Sequence, residues 1–171
     1  MAKRSGGRAE GATPAVRVLH EAGVEHALHA YDHDEHESGF GEEAVRSLAA
    51  AGLDVTADRV FKTLVADVDG RLVVAVVPVA ARLDLKALAA AAGGRRAAMA
   101  DPARARRSTG YVLGGISPLG QRTAVPTVVD ASATGFATVL VSAGRRGLQV
   151  ELAAADLVRL TSAVVADVAA R

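Results

Sequence analysis

The residue of this chain best placed to do chemistry is Lys62, which stands inside the apolar run of residues 60–68. If that run is a strand, its alternation puts Lys62 on the same face as Leu64 and Ala66, so an ammonium group is aimed among aliphatic side chains. Desolvating an ammonium is costly unless it meets a carboxylate, a carbonyl or a phosphate. Lys62 is therefore either the anchor of an anionic ligand or a residue near a strand end that extends to water.

A second candidate is the glycine-rich segment of residues 114–120, which reads Gly-Gly-Ile-Ser-Pro-Leu-Gly. Glycines permit positive φ angles and close backbone approach, so successive N–H groups can converge on a carbonyl oxygen or a phosphate. Ser117 is a poor candidate nucleophile, because Pro118 follows it and no strand-to-helix turn surrounds it. The segment either holds an ester carbonyl or is a plain, turn-rich connection.

Phe40 lies between two glycines, in a stretch that superficially matches a dinucleotide-binding fingerprint. Such a fingerprint needs a buried strand directly before it, whereas residues 32–38 are polar. Phe40 is one of few aromatic residues, and it is expected either to act as a hydrophobic staple at a helix start or to wall a pocket together with Tyr31.

Four histidines are interleaved with acidic residues between positions 26 and 36, which raises the question of a metal site. His26 and His29 would fall on opposite faces of a strand, and acid-rich loops with histidines are usually only solvated. We therefore expect no metal ion here, and no organic cofactor is indicated elsewhere.

The composition narrows the class of protein. The chain has 171 residues, half of them apolar, only 3% aromatic, and no cysteine. This excludes a disulfide framework, a thiolate metal site and a thiol nucleophile, and it suits a reducing cytoplasm. The net charge is only +1, so a polyanion would have to contact local arginine groups. These groups are at positions 95–96, 104–107 and 145–146.

The N-terminal residues 1–12 are rich in glycine and basic residues and lack the apolar run of a secretory signal. We expect a disordered tail there, followed by one domain over residues 13–171. Apolar stretches are interrupted before they reach the length of a membrane span. A soluble, cytoplasmic protein is expected, with neither a membrane nor DNA as a partner.

The pattern of elements predicts an α+β domain, with a curved mixed sheet flanked by helices. Thr13 and Pro14 should begin a first helix that ends near Gly23. Asp69-Gly70 should turn a hairpin. Strands are predicted over residues 26–31, 60–68, 72–79, 127–130, 137–142 and 148–152. Further helices are predicted after Gly41, from Asp84 to Gly93, from Pro102 to about 107, and over 154–169, with a long functional loop over 108–122.

Taken together, several of these segments resemble the YbaK/EbsC family and the related editing insertion of bacterial prolyl-tRNA synthetase. The resemblance runs from Thr13 nearly to the C-terminus. Its most specific pieces are Val-Phe-Lys-Thr-Leu at 60–64, Met-Ala-Asp-Pro at 99–102, Arg-Ser-Thr-Gly-Tyr at 107–111, the loop at 114–120, the segment 144–147, and Glu-Leu at 151–152.

The resemblance implies a deacylase that acts on the acceptor end of mischarged aminoacyl-tRNA, especially cysteine on proline tRNA, beside prolyl-tRNA synthetase and without metal or cofactor. It also implies the site residues. Lys62 and Gly114 are expected to be catalytic, and the residues expected to bind substrate are Tyr31, Phe40, Gly115, Ile116, Ser117, Pro118 and Gln149.

The family chemistry implied is attack of the substrate's own cysteine sulfur on its ester carbonyl, with the protein supplying positioning. Gln149 stands where relatives that act on cysteinyl-tRNA often carry an acidic residue, and an amide cannot pair with a substrate ammonium as a carboxylate does. Alanyl or seryl esters cleaved by a positioned water, or a non-catalytic module that binds tRNA or a synthetase, are the alternatives.

Overall fold

The computed structural model describes residues 13–171, so the tail predicted for residues 1–12 lies outside the described residues. The described part contains five α-helices and one short 3-10 turn. The helices are α1 (Pro14–Ala22), α2 (Phe40–Ala50), α3 (Leu85–Ala91), α4 (Pro102–Thr109) and α5 (Ala154–Thr161), and the turn is Ala131–Gly135.

Ten strands form three sheets. They are β1 (His26–Ala30), β2 (Phe61–Val68), β3 (Arg71–Pro78), β4 (Arg82–Leu83), β5 (Ala97–Met99), β6 (Thr127–Asp130), β7 (Thr138–Arg145), β8 (Leu148–Ala153), β9 (Val164–Ala166) and β10 (Ala169–Ala170). The larger sheet has the order β5-β2-β3-β6-β9, in which β3, β6 and β9 run parallel. A smaller antiparallel sheet has the order β1-β8-β7, and β4 pairs with β10. This confirms the predicted mixed α+β domain.

Local sequence signals explain where the elements begin and turn. The Thr13 side chain accepts a hydrogen bond from the Val16 N–H at 3.2 Å, and Pro14 occupies the first turn of α1. Gly23 ends that helix in the left-handed conformation. Asp69 and Gly70 form the turn of the β2–β3 hairpin with positive φ angles, as the dipeptide predicts.

The core is divided by strand alternation. On β2, Phe61 and Val65 pack with α1 and the smaller sheet, whereas Ala66 and Val68 pack with Leu88 of α3. The five-stranded sheet and the three-stranded sheet meet at a parallel bridge between Val60 and Leu140, next to α2. Lys62 shares its face of β2 with the neighbouring Val60, and it lies at the end of β2 where the two sheets converge beside α2.

The prediction of a closing helix over 154–169 is wrong. Helix α5 ends at Thr161, because Ser162 adopts the left-handed conformation with a φ of 50°. The β-branched Val164 and Val165 then form β9, in parallel register with β6. The Asp130 carboxylate accepts backbone hydrogen bonds from residues 168 and 169, which fixes the last segment as an extended chain. Strands β4, β5 and β10 were also not predicted, since each has only two or three residues.

A polar cluster around Glu151 ties β8 to β7, to β1 and to the segment that leads into β2. Glu151 accepts a hydrogen bond from the Thr138 hydroxyl at 2.6 Å, pairs with His29 at 3.0 Å and also pairs with Arg59. The Thr138 hydroxyl, followed by His29 and Arg59, lowers the pKa of Glu151 from its ordinary value. Folding therefore favours the ionised form of the Glu151 carboxyl group.

We expect Glu151→Gln to lower the free energy of unfolding at pH 7 by about 1 to 2 kcal/mol, since charge-assisted hydrogen bonds are replaced by neutral ones. A lowered folded-state pKa contributes stability above the unfolded value of about 4.5, and this is lost as the pH falls through the folded value. Urea unfolding between pH 7 and pH 3 should therefore show a shallower decline for Glu151→Gln. Glu21→Gln, on the exposed face of α1, is the matched control.

No helix within residues 13–171 is both long and apolar enough to cross a membrane.

Candidate active site

A cavity of about 240 Å³ opens where the start of α2, the start of β2 and the loop after α4 converge. It contains one lysine, one glutamate, several hydroxyl groups and an amide, on a largely aliphatic surface. The lining residues are Ser38, Gly39, Phe40, Gly41, Glu42, Val60, Phe61, Lys62, Thr63, Leu64, Leu113, Gly114, Ile116, Ser142 and Gln149. Five of the residues predicted for the site are thereby brought together: Phe40, Lys62, Gly114, Ile116 and Gln149.

Lys62 is the only positively charged residue on the lining of this cavity. Its side chain is half-buried, and Leu64, Ile116 and Val60 line the same space. Among residues 13–171 its ammonium group makes no ion pair. A half-buried ammonium without a carboxylate partner is suited to hold an anionic or strongly polar part of a ligand.

Gly114 brings the loop against Phe40. Its φ angle is +83°, and a Cβ atom at this position would lie 2.7 Å from the Phe40 ring. Only glycine fits both the left-handed backbone and the contact. Arg146 contacts both the loop and Phe40. Its Nε donates to the Leu113 carbonyl at 2.8 Å, and its guanidinium lies 4.9 Å from the centre of the Phe40 ring.

Two loop residues that line the cavity, Gly114 and Ile116, carry unpaired backbone donors among the described residues. Among the described residues, the N–H groups of Gly114 and Ile116 find no acceptor, whereas the Gly115 N–H donates to the Val112 carbonyl at 2.9 Å. Two unpaired N–H groups on one side of a cavity can stabilise an oxygen that becomes negatively charged. The donors come from Gly114 and Ile116, and the Gly115 N–H is already used within the loop.

Three of the predicted substrate-binding residues support the loop from behind. Gly115, Ser117 and Pro118 are buried and are not among the lining residues. The Ser117 hydroxyl accepts a hydrogen bond from the Leu119 N–H at 3.2 Å. Tyr111 fixes the far end, because its hydroxyl donates to the Leu119 carbonyl at 2.7 Å.

The loop also rests directly on α1. A Cβ atom at Gly120 would lie 2.5 Å from the carbonyl carbon of Pro14, so the two backbones are in close contact. The Thr13 hydroxyl donates to the Ala143 carbonyl of β7 at 2.6 Å. The first turn of α1 is thus part of the support of the loop.

Tyr31 lies behind the lining, near Gln149 and the buried carboxylate of Glu43. Burial, and after it the charge of Glu43, raises the pKa of Tyr31. Glu43 is only 5% exposed and is held by His33, at 2.6 Å between Nδ1 and Oε1. Tyr31 therefore keeps its proton at neutral pH and shapes the wall of the cavity through Gln149.

Two polar atoms at the cavity are buried without a hydrogen-bond partner among residues 13–171. They are Oε1 of Gln149 and Oγ1 of Thr63. A third such atom, Oε2 of Glu43, lies next to Tyr31. Buried polar groups are rarely left unsatisfied unless a ligand or water completes them. Their concentration here indicates a site for a polar ligand.

The hydroxyl groups at the cavity are not activated as nucleophiles. Among the described residues, no serine or threonine hydroxyl is hydrogen-bonded to a histidine, and the Ser142 hydroxyl accepts from the Gly144 N–H at 3.2 Å. Covalent catalysis by serine needs an adjacent base. The arrangement of the described residues can therefore bind a polar ligand, orient it and stabilise charge that develops on it.

Sequence reasoning missed four polar residues of the lining, namely Ser38, Glu42, Thr63 and Ser142. Ser142 lies opposite Gln149 in the register of β7 and β8. A correct register for these two strands would have identified Ser142, because directly opposed residues share one face. Thr63 directly follows Lys62, whereas Ser38 and Glu42 each lie two residues from Phe40, and none of the three carries a signal of its own.

Two of the histidines between positions 26 and 36 bind different partners in the fold. Within residues 13–171, no group of three or more histidine, aspartate and glutamate side chains is arranged to hold a metal ion. His29 and His33 pair with different glutamates, Glu151 and Glu43.

Comparison with known proteins identifies the family. A family model described as the aminoacyl-tRNA editing domain matches residues 42–160, which includes most of the cavity lining. The chain belongs to the aminoacyl-tRNA editing domain family. Membership makes the protein an aminoacyl-tRNA deacylase, a hydrolase of ester bonds, and this confirms the family resemblance found in the sequence.

Relatives with known names agree with this assignment. This editing-domain protein is 34% identical over 159 residues to EbsC of Enterococcus faecalis, named as a Cys-tRNA(Pro)/Cys-tRNA(Cys) deacylase, with 91% of this chain and 92% of the relative covered. It is also 34% identical over 95 residues to the proline–tRNA ligase of Moorella thermoacetica, covering 56% of this chain but only 16% of the ligase.

Solved structures show the same fold. A crystal structure described as a trans-editing enzyme for prolyl-tRNA synthetase superposes with a TM-score of 0.75 at 24% identity, over 92% of this chain and 93% of the other. The crystal structure of hypothetical protein APE2540 superposes with a TM-score of 0.77 at 26% identity, over 92% and 99%. The editing-domain fold is thus shared over nearly the full described chain.

Proposed function

We propose that this deacylase removes cysteine wrongly attached to proline tRNA, acting in trans on the released aminoacyl-tRNA. One observation carries the proposal. Among residues 13–171, the cavity combines the unpaired ammonium of Lys62 with the free N–H groups of Gly114 and Ile116 and offers no activated hydroxyl nucleophile. Such a site suits a substrate that supplies its own nucleophile.

In the proposed reaction, the cysteine sulfur of the substrate attacks its own ester carbonyl carbon. The sulfur–carbon bond forms, the bond from that carbon to the ribose oxygen breaks, and the thiol proton ends on the released ribose hydroxyl. The products are a cyclic thioester and uncharged tRNA. Holding the thiol and the ester in a reactive geometry removes much of the entropic barrier.

The protein groups have distinct parts in this scheme. The N–H groups of Gly114 and Ile116 donate to the carbonyl oxygen as it becomes negatively charged. Lys62 holds the terminal phosphate or ribose end of the tRNA. Phe40, fixed by Gly114 and Arg146, limits the space for the amino-acid side chain.

The substrate ammonium needs a partner that Gln149 cannot fully supply. The amide oxygen of Gln149 is buried and free to accept one hydrogen bond, but it carries no net charge. Glu42 is the one carboxylate on the lining, and we expect it to compensate the ammonium charge. The neutral Gln149 also favours a second candidate, in which alanyl or seryl esters are cleaved by a positioned water.

A panel of one proline tRNA charged with cysteine, serine or alanine separates the two candidates. We expect cysteine to be released at least about tenfold faster than serine, since thiolate attack has no equally good counterpart in a hydroxyl. Rates should be measured with protein well below the tRNA concentration, so that release of many equivalents demonstrates turnover. Equal rates for alanine and cysteine would replace the thiol mechanism with the water mechanism.

We further propose that prolyl-tRNA synthetase contributes to tRNA recognition. The net charge is only +1, and Arg104, the first of its arginine group, is already paired with Asp67. Proteins that bind nucleic acid alone usually present a denser basic surface. Adding the synthetase to the deacylation assay should lower KM for charged proline tRNA, whereas an unchanged KM would contradict this partner.

A further inference from the structure

A second cavity of about 220 Å³ lies beside the first, and the loop that carries Gly114 contributes Leu113 and Ile116 to both. The two cavities share the side chains of Thr63, Leu64, Leu113 and Ile116 as a common wall. The second is almost wholly apolar. Its remaining walls are formed by Val65, Met99, Ala100, Pro102, Ala105 and Tyr111, with Arg106 at the rim.

The size of the two cavities points to one ligand with two parts. Pockets that enclose a whole small ligand usually measure about 300 to 1,000 Å³. At about 240 and 220 Å³, each cavity is below this range and suits a fragment. The polar one suits an aminoacyl ester, and the apolar one suits a flat, weakly polar group.

The chemistry of the substrate supplies such a group. In an aminoacyl-tRNA the ester and the terminal base are attached to the same ribose, so they must occupy neighbouring spaces. We infer that the second cavity binds the base of the terminal nucleoside, with the ribose placed over the shared wall. The inference rests on the deacylase function proposed above and adds a binding site to it.

The residues around the opening of the second cavity also suit a nucleotide. Met99 is 52% exposed and Leu113 is 61% exposed, so two large apolar side chains border the opening. Unstacked bases are commonly bound by apolar and aromatic surfaces of this kind. Arg106 is exposed and makes no ion pair within residues 13–171, which leaves its guanidinium available to the adjoining phosphodiester.

The test uses two synthetic dinucleotide esters that carry the amino acid released fastest in the panel above. One ends in adenosine, and the other ends in the same ribose without a base. For the unmodified protein, removal of the base should lower kcat/KM about tenfold or more, the range expected when a stacked base is lost. Equal rates on the two esters would overturn the inference.

Variants of the second cavity test whether the rate difference between the two esters arises there. Ala105→Leu fills the floor of the second cavity and should reduce the rate on the adenosine ester to that on the base-free ester, while leaving the latter unchanged. Met99→Ala, at an exposed position that does not threaten folding, should reduce only the adenosine ester rate, several-fold. Val112→Ala is the matched control, because Val112 is exposed but lines neither cavity.

The failure of the inference and the failure of the proposed function give different results. If Met99→Ala and Ala105→Leu lower both rates by the same factor, the base does not occupy this cavity although the deacylase function stands. If the unmodified protein cleaves neither ester and no charged tRNA, the proposed function fails and the inference fails with it.

Discussion

Lys62→Ala is expected to lower kcat/KM for deacylation by at least about 100-fold, the loss that follows removal of a single strong electrostatic group from an active site. The physical reason is the position of the ammonium group, half-buried at the convergence of the two sheets and unpaired among the described residues. Initial rates on charged proline tRNA, with folding checked by thermal unfolding, would measure the effect.

The chain offers a matched control for this variant. Lys86 lies on the exposed face of α3, away from the cavity, and Lys86→Ala removes the same charge from the surface. We expect an unchanged rate for Lys86→Ala and a melting temperature close to the unmodified value for both variants. Deacylation that persists at the full rate in Lys62→Ala would remove this lysine from the active site.

Gly114→Ala is expected to have the second largest effect, lowering kcat/KM about 10- to 100-fold through displaced backbone donors. The added methyl group would lie 2.7 Å from the Phe40 ring, and the φ angle of +83° disfavours any side chain. Relief of both conflicts moves the N–H groups of the loop and the ring together. The loss should appear mainly in kcat, because the donors are proposed to act on charge that develops during the reaction.

Gly52→Ala separates backbone strain from loss of function. Gly52 has a φ of +92°, but a Cβ atom there would meet nothing within 4 Å. Both substitutions should cost about 1 to 2 kcal/mol of stability from the left-handed backbone. Only Gly114→Ala should lose activity, and an equal loss of activity in Gly52→Ala would show that strain alone accounts for the result.

Local signals were enough to predict the elements that carry the site. The cap at Thr13, the turn at Asp69-Gly70 and the alternation around Lys62 act over a few residues, and each predicted the observed conformation. The end of the chain was predicted wrongly because an alanine- and valine-rich segment suits a helix and a strand almost equally. In that segment the extended conformation is fixed by a hydrogen bond from the Val168 N–H to the carboxylate of Asp130, a residue distant in sequence.

The site itself could be predicted only in part. The lysine and the glycine loop are recognisable as residue types, and the structure brings Lys62 and Gly114 into one cavity. The sequence does not predict which N–H groups of the loop remain unpaired. This depends on the turn in which the Gly115 N–H donates to the Val112 carbonyl. The second cavity was equally hidden, because its walls come from β2, β5, α4 and the loop.

The contact between Gly120 and Pro14 bears on how the protein can be divided. The family match begins at residue 42, after both α1 and β1. A fragment cut at that boundary would lack the helical turn against which the loop of residues 114–120 rests, together with the edge strand beside β8. The segment that the family model recognises is therefore smaller than the folded unit that supports the loop, and excision or fusion near Thr13 acts on the loop proposed to hold the substrate.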